Sequence, residues 1–293
     1  MKYIEEYLTY LKVLKKDSNY TITNYRNDLL ELYNFTEDLL GITPQIIQDY
    51  LEYLYARGLT RNSISRKLSA IRSFYQYLKK EDLLEENYWK EISNPKKKES
   101  LPKYVKDNDL EKIFHSFNKE TPLGQRNALI LELLYATGIR VGELVNIQLN
   151  DIDHYNHSIK ILGKGRKERM VFFGSYCEDA LELYLHDGRE KLRKGEVEYL
   201  LLNKNGQQLS SRFIRKIIDD AVRKCEIDYH ISPHTLRHTF ATDMLNSGAD
   251  LMTVKELLGH SSINTTGIYT HLSSEHLKKV YNFAHPRSQE RKK

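Results

Sequence analysis

Apolar residues recur along most of the chain at intervals of three and four, the spacing that returns a side chain to one face of an α-helix. The clearest run is LTRNSISRKLSAIRSFYQYLKKED, where Ile64, Leu68, Ile71, Tyr75 and Leu78 form a single stripe. Thr60 stands where an N-cap hydroxyl belongs. The first third reads as helix throughout. Beyond it, SIKIL at 158–162 and RMVFF at 169–173 are rich in strand-favouring residues and flank GKGRKE, which predicts a β-hairpin with Lys164 at its tip. A helix through 127–138 ends at Gly138, and a new one begins near Arg140. Further helices are expected around 176–187, 210–224, 235–247, 250–259 and 274–284. In the last of these, Leu277, Val280, Tyr281 and Ala284 share a face. No 20–50-residue repeat interrupts the pattern.

The chain has 293 residues, which favours two domains over one. The stretch ISNPKKKESLPK combines two prolines with three consecutive lysines and has no apolar period. It predicts a linker at 92–103 between a helical domain at 1–91 and a second domain at 104–293. Hydrophobic residues make up 40% and charged residues 29%, enough apolar material for packed cores. No apolar run approaches the roughly 18–20 residues of a membrane span, and the opening MKYIEEYLTYLKVLKK is too charged for a signal peptide. Two cysteines, Cys177 and Cys225, make neither a disulfide framework nor a four-cysteine metal site. The expectation is a soluble cytoplasmic protein. Its net charge of +5 is shared between the two parts and by itself says little about nucleic acid.

Four stretches place strong donors or a nucleophile at turns and helix starts: ATGIRVGEL (136–144), GKGRKER (163–169), PHTLRHTFAT (233–242) and LGHSSINTTGIYTHL (258–272). Arg140 and Glu143 lie three apart, so on one helix face the carboxylate would orient the guanidinium; a surface ion pair is the plainer reading. His234 and Arg237 are also three apart, on a helix beginning after Pro233. His234 and His238 have a spacing that can bind zinc, but Thr235 stands where such helices carry glutamate, so His238 reads as structural. In the front domain, Arg61, Arg66 and Arg72 share their helix with small polar residues. That surface suits a DNA backbone, though on periodicity alone an ordinary solvated face is the favoured reading. Tyr269 is one of 21 tyrosines and is not diagnostic alone.

The order Arg140, Lys164, His234, Arg237, His260, Tyr269 resembles the tyrosine recombinase (phage integrase) family over essentially the whole chain. Within that family SRKLSAIRSFYQYL, NPKKKESLPK and HPRS are most similar to the Xer recombinases of bacteria and archaea. Gly267 departs from the pattern, since relatives often carry a longer polar residue there. The resemblance implies a mainly α fold: an N-terminal helical, SAM-like core-binding domain and a mixed, mostly helical catalytic domain with a small antiparallel β-sheet. It also implies transesterification at a DNA phosphodiester through a 3′-phosphotyrosine and a Holliday junction.

Under that resemblance Tyr269 is the nucleophile, Arg140 and Arg237 clamp the phosphate, and His234 is the base. Lys164 protonates the leaving 5′ oxygen, His260 hydrogen-bonds the phosphate, and Glu143 supports Arg140. An unperturbed phenol, with a pKa of about 10, needs such help. Arg61, Arg66, Arg72, Lys96, Lys97, Arg166 and Lys167 are candidate DNA contacts. The implied partners are duplex DNA with paired half-sites, a homo- or hetero-tetramer assembled on it, and an activating protein. No cofactor or metal is expected: there is no GxxxxGK[ST] loop and no compelling carboxylate cluster for two magnesium ions. The implied role is Xer-like chromosome dimer resolution, alternatively integration of a mobile element by the same chemistry. A relaxing topoisomerase, a non-catalytic DNA-binding protein and a metal-dependent nuclease are the rivals. The tail helix packs on its own domain in the plain reading and docks into a neighbouring protomer in the family's.

Overall fold

The computed structural model describes residues 1–15, 19–95, 104–163, 168–259 and 274–288. The chain divides into two compact units, Met1–Ser100 and Leu101–Lys293. Among the described residues no helix is long and apolar enough to cross a membrane.

Among its described residues the first unit has four α-helices, α1 (Lys2–Val13), α2 (Asn19–Thr36), α3 (Pro44–Ala56) and α4 (Arg61–Lys80), and a short 3-10 turn at Tyr88–Lys90. The stripe of Ile64, Leu68, Ile71, Tyr75 and Leu78 on α4 is buried, together with Ile4, Tyr7, Leu29, Tyr50 and Trp89. Two of these helices start as their sequences dictate. Thr43 precedes Pro44, and its hydroxyl accepts from the Ile46 amide at 3.3 Å; Thr60 caps α4 by accepting from the Ser63 amide at 3.2 Å. A polar knot crosses α2 and α4, where Lys67 Nζ donates to Asp28 at 3.0 Å and to Glu31 at 3.1 Å.

The second unit is arranged around α6 (Pro122–Thr137), whose residues are buried almost end to end because other elements cover it on several sides. Around it lie α5 (Asp107–His115), α7 (Val141–Leu144), α8 (Ser175–Leu183), α9 (Arg189–Leu192), α10 (Ser211–Lys224), α11 (Pro233–Asn246), α12 (Leu251–Leu258) and α13 (Ser274–Ala284). The expected hairpin is present as β2 (Ser158–Leu162) antiparallel to β3 (Glu168–Phe172), with Ile159 opposite Val171 and Ile161 opposite Arg169. A two-residue strand, β1 (Ile152–Asp153), pairs with β2 and makes the sheet three-stranded. The fold is thus mainly helical with one small antiparallel sheet.

In the tail, α13 buries Leu277, Tyr281 and Ala284 against Phe172, Phe240 and Met244 of its own unit, while Val280 is half-buried. Beyond it the buried His285 ring stacks on Tyr281 at 5.1 Å and lies 5.0 Å from Tyr135. Arg287 then inserts between the rings of Phe114 and Tyr176, at 4.0 and 4.1 Å, and pairs with Glu132 and Glu111.

Candidate active site

The site begins at the end of α6. Gly138 closes that helix in the left-handed conformation, φ +59°, and a β-carbon there would come within 2.6 Å of the Phe240 ring. Only glycine fits both demands. The turn that follows delivers Arg140 to the start of α7. Arg140 has an extended backbone and is the N-cap residue, so it does not share a helix face with Glu143 as its spacing suggests. The carboxylate instead reaches back over the first turn. Glu143 accepts from the Arg140 amide at 2.9 Å through Oε2 and from its guanidinium at 2.9 Å through Oε1.

Arg237 enters from α11, which starts with Ser232 accepting from the Thr235 amide at 3.2 Å and with Pro233 in the first turn. Its guanidinium is buried and donates to two neutral acceptors, the carbonyls of Gly138 and, at 2.7 Å, Leu258. No carboxylate touches it among the described residues. Burial, then the neighbouring charge of Arg140, push its pKa down to about 10. Arg140 itself is exposed and donates to the Gly259 carbonyl at 3.3 Å. The two guanidiniums are therefore brought together on consecutive carbonyls at the end of α12, where unpaired C=O groups and the helix dipole attract cations. His234, one turn before Arg237, is exposed and makes no hydrogen bond among the described residues.

A third cation stands here that sequence reasoning did not name. Arg169, at the start of β3, grips Glu143 with both prongs, Nη1 to Oε1 at 3.1 Å and Nη2 to Oε2 at 2.8 Å. Burial by itself would raise the pKa of Glu143, but the bonds from Arg169 and Arg140 outweigh it and hold the carboxyl below the usual range. A signal for Arg169 was available in the strand period. Residues 169, 171 and 173 share one face, and Val171 and Phe173 are apolar, so the arginine points inward with them.

Among the described residues three guanidiniums and one carboxylate leave the site with an excess of two positive charges. Such an arrangement binds a dianion-like transition state better than it suits an empty protein interior. Lys164, His260 and Tyr269 lie outside the described residues, as do Gly267, Lys96, Lys97, Arg166 and Lys167. In the first unit Arg66 gives both Nη groups to Asp28 and Arg72 donates to Asn94 and to the Leu68 carbonyl, whereas Arg61 is exposed on the first turn of α4.

Comparison with known proteins places this geometry. A family model described as "Phage integrase family" matches residues 103–276, and one described as "Phage integrase, N-terminal SAM-like domain" matches residues 4–82. A tyrosine recombinase XerC of Oceanobacillus iheyensis is 43% identical over an alignment covering 98% of this chain and 96% of the relative. The XerC of Bacillus subtilis is 41% identical, covering 98% and 97%. Among solved structures, the XerH site-specific recombinase in a post-cleavage complex with its difH substrate superposes with a TM-score of 0.71 at 23% identity, over 97% of this chain and 81% of that one. A lambda integrase tetramer bound to a Holliday junction gives 0.71 at 18% identity, over 100% and 79%. At such identities these two structures speak for the fold alone.

Proposed function

The chain belongs to the phage integrase family of tyrosine recombinases, and from that premise we propose that Arg140 and Arg237 hold the scissile phosphate of a DNA strand while Tyr269 attacks it. The enzyme is a site-specific tyrosine recombinase of Xer type that catalyses DNA cleavage and strand exchange. The observation that carries the assignment of the phosphate site is Arg237: a buried guanidinium on two neutral carbonyls, beside Arg140, with no carboxylate against it among the described residues.

In the proposed reaction the Tyr269 phenolic oxygen bonds to phosphorus and the bond from phosphorus to the 5′ oxygen breaks. His234 accepts the phenolic proton and Lys164 supplies one to the departing 5′-hydroxyl. The two guanidiniums neutralise the non-bridging oxygens as charge accumulates in the transition state, and His260 donates a further hydrogen bond. The 5′-hydroxyl of a second duplex then attacks the phosphotyrosine, so the ester energy is retained and rejoining draws on neither ATP nor a metal. Glu143 keeps Arg140 turned toward the phosphate.

The biological reading is chromosome dimer resolution by an assembly of four protomers on paired half-sites, supported by two XerC relatives that match the chain along nearly its whole length. It places the enzyme in the cytoplasm with the nucleoid. A nicked suicide duplex tests the chemistry, because loss of the short strand traps the covalent adduct. Wild-type protein is expected to yield an adduct whose DNA-linked peptide contains Tyr269, and Tyr269→Phe is expected to yield none. An undiminished adduct from Tyr269→Phe would remove the nucleophile from that position.

A further inference from the structure

Helix α12 and its C-cap Gly259 lead directly to His260 in the chain, and each of the last three carbonyls is claimed by a different arginine. Arg237 takes Leu258 at 2.7 Å, Arg140 takes Gly259 at 3.3 Å, and Arg169 takes Leu257 through Nε at 3.3 Å. The first two are phosphate ligands in the reaction proposed above. Arg169 differs from them. Its side chain is largely covered, and its two Nη groups are committed to Glu143.

Each Glu143 oxygen is bonded twice, once by Arg140 and once by Arg169, so the carboxylate plane is fixed by four bonds. Without Arg169, only one bond, from Nη1 to Oε1, would tie the Arg140 guanidinium to that carboxylate, whose other bond comes from the Arg140 backbone amide. The contact with α12 is equally tight. Gly259 closes the helix at φ +65°, and a β-carbon there would sit 2.9 Å from both Cδ and Nε of Arg169. The Arg169 stem therefore lies flat on the helix end, and its planar fork spans from that helix to the carboxylate. A lysine carries its three donors on one nitrogen and cannot reach the Leu257 carbonyl and both Glu143 oxygens as the planar fork does.

We propose that Arg169 is a positioning residue for phosphoryl transfer: it ties β3, the Glu143–Arg140 pair and the last turn of α12 into one rigid frame, and it acts on the phosphate only through them. The inference rests on the recombinase reading and adds to it a residue that does not contact the DNA strand. Its loss misplaces Arg140 without removing any group that touches the phosphate. Cleavage at saturating DNA is then slowed, while affinity for DNA and folding of the unit are retained.

The test is single-turnover cleavage of the suicide duplex by the full chain, measured against DNA concentration. Arg169→Ala is expected to lower the saturated cleavage rate on the order of 10²-fold, the cost of a small misplacement at a reacting centre. Half-saturation by DNA should stay within about twofold, and Arg169→Lys should recover part of the rate. In a double-mutant cycle, Arg169→Ala added to Glu143→Gln should cost no more than about a further twofold, because both changes break one linkage. A rate for Arg169→Ala within about twofold of wild type, or losses that multiply in the double variant, would overturn the proposal. So would a loss expressed wholly as weaker DNA binding, which would make Arg169 a phosphate contact. If Arg169→Ala melts too low to assay, the cycle is run with Arg169→Lys under the same criteria. Wild-type protein must form the Tyr269 adduct alongside; its absence would strike the recombinase chemistry and not the part played by Arg169.

Discussion

Two of the arginine sites in the second unit, around Arg237 and around Arg287, have opposite charge balance. Around Arg237, the guanidiniums of Arg140 and Arg169 share the carboxylate of Glu143, and Arg237 itself has no carboxylate against it among the described residues. Around Arg287, one guanidinium is shared by two carboxylates, Glu132 and Glu111, and roofed on both sides by the rings of Phe114 and Tyr176. The second site is saturated: every prong has an acceptor, and nothing remains for a ligand to satisfy. In the first site Arg237 rests on neutral carbonyls, which satisfy its N–H groups but not its charge. The same residue type thus makes a clasp in one place and a receptor for an anion in the other. What separates these two sites is the count of carboxylates within reach and, at the first, the guanidiniums of Arg140 and Arg169 gathered beside Arg237.

Exchanging each arginine for a weaker donor should separate the two roles. The largest effect is expected from Arg237→Lys, which keeps the charge but loses the two-pronged geometry. Cleavage of a suicide duplex should fall by about 10²–10³-fold, with little change in Tm. Arg287→Ala should do the reverse, leaving single-site cleavage by the folded protein near wild type. Removing one partner of a buried pair costs about 3–5 kcal/mol, which for a unit of this size lowers Tm by about 6–20 °C in a thermal melt. An Arg287→Ala protein that melts normally but no longer cleaves would abolish the distinction.

A smaller effect concerns pH and the same clasp. Burial pushes the pKa of His285 down to about 3, from an unfolded value near 6.5. Between those values the unfolded chain binds a proton that the folded one refuses. Stability is therefore complete above about pH 6.5 and declines as pH falls toward 3, by up to about 1.4 kcal/mol per unit from this group. Thermal melts of His285→Phe across that window should show a shallower decline than wild type. An unchanged slope would mean that the buried ring does not govern acid sensitivity of the tail.

Much of this was legible in the chain, for identifiable reasons. The stripe from Ile64 to Leu78, the two strands around GKGRKE and the stop at Gly138 are local patterns whose burial follows from period alone. The end of α6 and the start of α11 brought Arg140 and Arg237 to the right neighbourhood. The strand period could mark Arg169 as facing inward, but its role was hidden because its partner Glu143 is 26 residues away. The helix-face reading of Arg140 and Glu143 failed because the N-cap residue lies outside the helix. The two-residue β1 is too short to carry any alternation. Arg287 was invisible for a further reason. Its acceptors Glu132 and Glu111 come from α6 and α5, and only the tertiary fold assembles them.

The charge excess around Arg237 can be tested at the phosphate itself. A methylphosphonate at the scissile position replaces one charged non-bridging oxygen with a methyl group and leaves the rest of the duplex unchanged. If the guanidinium serves to neutralise that oxygen, the deficit of Arg237→Ala, about 10²–10³-fold on ordinary DNA, should shrink to within about tenfold of wild type on the neutral substrate. An equal deficit on both substrates would mean that Arg237 supports the fold of the site and not the charge of the reacting phosphate.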